Sequence, residues 1–158
     1  MDETLENDHR SSPRTWMWAA LVLQLFGLAL DALWHGLINP NFEAVTADQM
    51  VTHLSTVHLP IYIGVLSVLV STTWALVDQM RQSKLGVAMP IAFAGALVST
   101  IGEIWHAYTH LQLNTHSGPI AGTMSSLGLI VVVTALWLSD RRGAGGAQQR
   151  NLYERRRA

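Results

Sequence analysis

The sequence contains no cysteine, and only 13% of its 158 residues are charged. The first absence removes disulfides, iron–sulfur clusters, thiolate zinc sites and cysteine nucleophiles, so a bound metal must take nitrogen and oxygen ligands. The second stands beside 49% hydrophobic residues, a balance that suits lipid better than water. A third absence is local: residues 36–57 and 107–118 hold neither lysine nor arginine. With a formal net charge of −1 and its basic residues gathered elsewhere, the chain offers nothing to a nucleic acid.

What is present is organised by four apolar stretches, each near the roughly 20 residues that a bilayer demands. They run over residues 16–35, 58–77, 87–106 and 119–138. Asn39-Pro40-Asn41, the segment 78–84 and the segment 114–119 separate them with turn-forming residues. The length favours one domain. The sequence therefore predicts an all-α, four-helix transmembrane bundle over residues 15–140, between a polar tail (1–14) and a basic tail (141–158). The start, Met1 to Asp8, is acidic and unlike a secretory signal, so the first span is expected to stay in the membrane.

Orientation follows from the basic residues. Arg10 and Arg14 precede the first span, Arg81 and Lys84 follow the second, and Arg141, Arg142, Arg150, Arg155, Arg156 and Arg157 follow the fourth. Both termini are expected in the cytoplasm, with an integral protein of the plasma membrane displaying its two other loops outside. The basic tail, lacking an apolar periodicity, is expected to be mobile or to lie on the anionic inner leaflet.

On that orientation, six of the seven histidines fall in one outer layer. His35 ends the first span, His53 and His58 open the second, His106 and His110 end the third, and His116 opens the fourth. Asp31 precedes His35 by four residues and Glu103 precedes His106 by three, so each carboxylate shares a helix face with an imidazole. A carboxylate without a partner at that depth costs up to about 3 kcal/mol on insertion scales. The basic side chains lie at the opposite surface, which leaves a proton, a histidine or a metal cation as compensation. A hydrogen-bonded packing network is the plainer alternative. Ser125 and Ser126 sit near Gly122 and Gly128 and read as small residues for close helix packing, with no general base beside them.

The two halves echo each other. Leu33-Trp34-His35 parallels Ile104-Trp105-His106, and His58, Pro60, Ile61 and Gly64 parallel His116, Pro119, Ile120 and Gly122. Two helical hairpins related by an internal duplication would bring similar ligand sets together about an axis along the membrane normal. Copper, iron, manganese and zinc all accept imidazole and carboxylate, and spacing does not separate them.

The run Asp31-Ala32-Leu33-Trp34-His35, then His53, then Pro60-Ile61-Tyr62-Ile63, resembles the C subunit of the copper membrane monooxygenases, the particulate methane and ammonia enzymes. The resemblance covers about residues 27–125. It implies a copper site at Asp31, His35 and His53, and a second ligand set at Glu103, His106 and His116, with His110 an extra candidate and Gly102 standing where the family has asparagine. His58 has no counterpart in the family and is a candidate ligand or orienting group. By resemblance the chain is a metal-bearing subunit for oxygen-dependent hydroxylation, in lipid, working with other monooxygenase subunits or as a homo-oligomer. The alternatives are a self-contained non-haem iron oxidase, or a metal chaperone or transporter that binds copper, iron or zinc without a reaction.

Overall fold

The computed structural model describes residues 13–83, 85–113 and 120–157, with side chains as far as Arg141. It is all-α. Helix α1 (Pro13–Leu33) ends in a π-helical turn (Trp34–Ile38), and α2 (Ala47–Thr56), α3 (Leu59–Arg81), α4 (Ala88–Leu111) and α5 (Ile120–Arg157) follow. Four segments are long and apolar enough to cross a membrane: Pro13–Ile38, Leu59–Arg81, Ala88–Leu111 and Ile120–Arg141. Valines, leucines and isoleucines such as Val22, Leu66, Ile101 and Ile130 lie exposed along them. That outward apolar belt is what a helix shows to lipid, where no backbone group is left to be satisfied by water.

The long helices pack in the order α1·α3, α3·α4, α4·α5, which makes two hairpins joined side by side. Glycine sets the close approach within each. A Cβ on Gly27 would stand 2.6 Å from the Ile61 backbone nitrogen, and one on Gly64 would collide with the Gln24 backbone. In the second hairpin, a Cβ on Gly95 would stand 2.8 Å from the Gly128 carbonyl oxygen, and one on Gly102 would stand 2.6 Å from the Ser125 nitrogen. Lipid tails are as apolar as leucine, so burial alone does not hold such helices together; close van der Waals contact does. The proposed small-residue packing thus holds at Ser125 and Gly128. Ser126 is exposed, and Gly122 meets nothing within 4 Å, so the Gly64–Gly122 echo does not extend to packing.

Two features depart from the sequence reading. Residues 47–56, expected as part of a loop, form α2. Thr46 caps it by accepting from the Gln49 N–H at 3.3 Å, while the Gln49 side chain takes the Val45 N–H at 3.0 Å, a variant of the reciprocal capping box. Met50, His53 and Leu54, spaced i, i+3 and i+4, are its buried face. Met50 and Leu54, with Ala44, Phe42 and Tyr62, form a small satellite core, so Met50 is buried rather than a loop residue. The second departure is α5, whose helical backbone continues to Arg157. No proline interrupts the tail, and extending an existing helix needs no new nucleus.

The main apolar core lies at the end away from the histidines. Met17, Leu21, Val68, Met89, Val132 and Leu136 fill it. Beyond it Arg14 on α1 pairs with Asp140 on α5, and the Arg141 guanidinium rests over the Trp137 ring at 3.7 Å.

Candidate metal centre

Five imidazoles meet at the other end of the bundle, carried by four separate elements. The π-helical turn is closed by a bond from the Asn39 N–H to the Trp34 carbonyl at 2.8 Å and carries His35. Such wide turns interrupt helices most often at functional sites. His53 lies on the inner face of α2, His58 is the residue that starts α3, and His106 and His110 share a face of α4. His58 is the hub. Its ring centroid lies 4.8 Å from that of His53, 5.8 Å from His35, 5.3 Å from His106 and 5.1 Å from His110.

The nitrogens face one another. His58 Nε2 is 3.1 Å from His53 Nε2, and His110 Nε2 is 3.0 Å from His106 Nε2. Nitrogens bound tetrahedrally to one zinc-sized ion at about 2.0–2.1 Å stand roughly 3.3–3.4 Å apart, so these pairs are already near ligand spacing. Two triads have one ligand atom from each member within 4.8 Å of the others: His35, His53 and His58, and His58, His106 and His110. They share His58, and both could hold a metal ion.

Asp31 joins the first triad from the last turn of α1. Its Oδ1 is 3.5 Å from His35 Nε2 and 3.4 Å from His58 Nδ1. Glu103 is on α4, buried, and outside both triads. Its carboxyl meets the Ser125 hydroxyl, which lies 3.3 Å from that of Ser99, which in turn accepts from Gln24 Nε2 at 2.9 Å. Glu103, Ser125, Ser99 and Gln24 therefore form one buried polar thread from the histidine layer to the middle of α1. The carboxylate beside Ser125, which the sequence did not reveal, stands on the neighbouring helix. His116 lies outside the described residues.

The cluster has the electrostatics of a cation site. His35, His53 and His110 each lie in the last turn of a helix, where carbonyls without partners carry partial negative charge and favour cations. Burial, with His35 and His106 nearby, lowers the His53 imidazole to about 4, so it is neutral and has a lone pair to give at physiological pH. Several buried polar atoms lack a hydrogen-bond partner among the described residues: Asp31 Oδ1, His58 Nδ1, His110 Nδ1 and Glu103 Oε2. Buried polar groups are nearly always satisfied, and such a concentration in one layer is what a site able to hold a metal ion leaves open.

Sequence reading missed Gln24, Ser99, Tyr62 and Phe42. Gln24 and Ser99 are 0% and 1% exposed, and a glutamine in the middle of an apolar span was the available signal. Tyr62 stacks beside His58, with centroids 6.1 Å apart and planes at 19°. Phe42 covers one face of His53 at 4.4 Å; its role depends on the folding of α2 and had no local signal. Comparison of the chain with protein-family models, curated proteins and solved structures finds no match.

Proposed function

We propose that this chain is a membrane copper protein, similar to the C subunit of a methane, ammonia or hydrocarbon monooxygenase, and that it works with partner subunits in oxygen-dependent hydroxylation. The observation that carries the reading is His58, one buried imidazole shared by two histidine triads. All-imidazole sets suit copper, zinc and iron, and among first-row divalent ions the order of affinity peaks at copper. His35, His53 and His58 would hold one ion with Asp31 beside them, and His58, His106 and His110 offer a second set; Glu103 and His116, the latter outside the described residues, complete the candidate list. Bound copper supplies one-electron and oxygen chemistry. The protein's part is to keep imidazoles neutral, fix their rings by packing against Phe42 and Tyr62, and exclude water from His58 and His110, which are 0% and 1% exposed.

The positive-inside pattern supports cytoplasmic termini and a centre near the outer face. A transporter would need polar groups through the whole bundle, and the thread ends at Gln24 above a core of Met17, Leu21, Val68 and Leu136. That apolar core favours retention of metal over its passage.

The test is metal analysis with electron paramagnetic resonance on protein in nanodiscs, as wild type and as His58→Ala. Stoichiometric copper with nitrogen hyperfine structure is expected in the wild type, and less than one tenth of it in the variant. Full metal content in His58→Ala would remove the site, and stoichiometric iron without copper would remove the monooxygenase reading.

A further inference from the structure

A cavity opens beside the centre among the described residues. Its volume is about 520 Å³, and it is lined by Trp34, Phe42, Glu43, Asp48, Gln49 and His53, among others. His53, itself only 4% exposed, is the one histidine of the cluster that lines it. Glu43 and Asp48 are exposed at its walls. The whole segment 36–57 contains no lysine or arginine to neutralise them. Phe42 lies over the His53 ring at 4.4 Å, and Trp34 approaches it at 6.2 Å.

From this arrangement we propose that the cavity is the entry site for a hydrated divalent metal cation, which Glu43 and Asp48 attract through its water shell and His53 is the first imidazole to bind. The inference rests on the proposed metal centre and adds its route of loading. Two carboxylates around a concave wall raise the local concentration of cations, because low-dielectric surroundings focus their field. Hard, hydrated ions prefer carboxylate oxygen, while the imidazoles beneath bind copper or zinc far better. The ion then moves from oxygen to nitrogen. Asp48 also lies in the first turn of α2, and its charge faces solvent rather than the triad. Phe42 narrows the approach, since its ring lies in the cavity wall against that of His53 and crowds the path to the imidazole nitrogens. His58, behind His53 at 3.1 Å between ring nitrogens, takes its share next.

The route is tested by stopped-flow loading of metal-free wild type in nanodiscs with Cu(II), and separately with Zn(II), followed by tryptophan quenching or an indicator dye. The double variant Glu43→Gln, Asp48→Asn should load roughly 5- to 10-fold more slowly at low salt, and the difference should shrink to under about 2-fold at high salt as the field is screened. Its final metal content should equal that of wild type. Phe42→Leu keeps an apolar side chain but removes the ring, and should speed loading and release together. Equal loading rates in wild type and the double variant at low salt would overturn the route. A loss of final occupancy in that variant would also overturn it, by making the carboxylates ligands. Wild type that takes up no metal would instead end the proposed function on which the route depends.

Discussion

The two ends of the bundle solve different problems with the same four helices. At the arginine end, small and apolar side chains such as Ala92, Ala96 and Val132 close the interior, and charged groups meet as pairs such as Arg14 and Asp140. At the histidine end, five imidazoles and two carboxylates are gathered, the ion-pair partners of Asp31 among the described residues are histidines, and several polar atoms have no hydrogen-bond partner among them. At the first end the described charged groups meet one another across helices. The second is organised like a socket, its unmet hydrogen-bonding capacity concentrated around His58. If the histidine end holds the proposed metal, perturbing each end should give different readouts.

The largest expected effect is at the hub. His58→Ala should weaken metal binding by on the order of 100-fold or more, since replacing even the outer partners of metal ligands costs 10- to 100-fold. His35→Ala or His106→Ala should remove only one triad, which titration with Cu(II) against a competing chelator would show as partial loss. Equal loss in all three variants would break the idea of a shared imidazole. At the other end, Gly95→Val should destabilise the metal-free protein by about 3 kcal/mol through overpacking against Gly128 and Val131. Unfolding in detergent measures it, and metal affinity per folded molecule should hardly change.

Acidification should separate the ends as well. The His53 imidazole is held near 4 in the folded chain against 6.5 ordinarily, so the unfolded chain binds more protons between these values. Its contribution is present above about pH 6.5 and is lost as pH falls toward 4. A melting-temperature profile should therefore drop across that window, and His53→Gln should flatten it. Metal should leave in the same direction, because protons compete for the same nitrogens. The smallest effect is expected at the thread. Gln24→Leu exchanges a buried amide, whose oxygen has no partner among the described residues, for an apolar side chain, and should change stability by about 1 kcal/mol or less. A fall in metal affinity of up to about 10-fold without loss of stability would show that the thread orients Glu103 for the centre.

Much of the plan is legible in the sequence. The four spans could be read because a bilayer imposes length and apolarity on each helix separately, and the termini found at 13, 59, 88 and 120 lie within a few residues of those expected. Asp31 with His35, and Glu103 with His106, were visible because i,i+3 and i,i+4 neighbours share a helix face. Helix α2 was not. Ten residues with little mean apolarity resemble a loop until Met50 and Leu54 find Ala44, Phe42 and Tyr62 to pack against. His58, which had no counterpart in the resemblance, meets His53 at 3.1 Å.

The sequence by itself determined the class of protein, the depth of its polar layer and the residue types that a metal would meet, because the costs of burying charge and backbone in lipid are paid helix by helix. Only the tertiary structure decided that His58 belongs to two triads, that Glu103 turns toward Ser125 and Gln24's thread, and that Glu43 and Asp48 line one cavity with His53. Those relations depend on which helix faces touch. Contacts such as Gly64 on Gln24 and Gly102 on Ser125 fix them, and no periodicity within one helix records its partner.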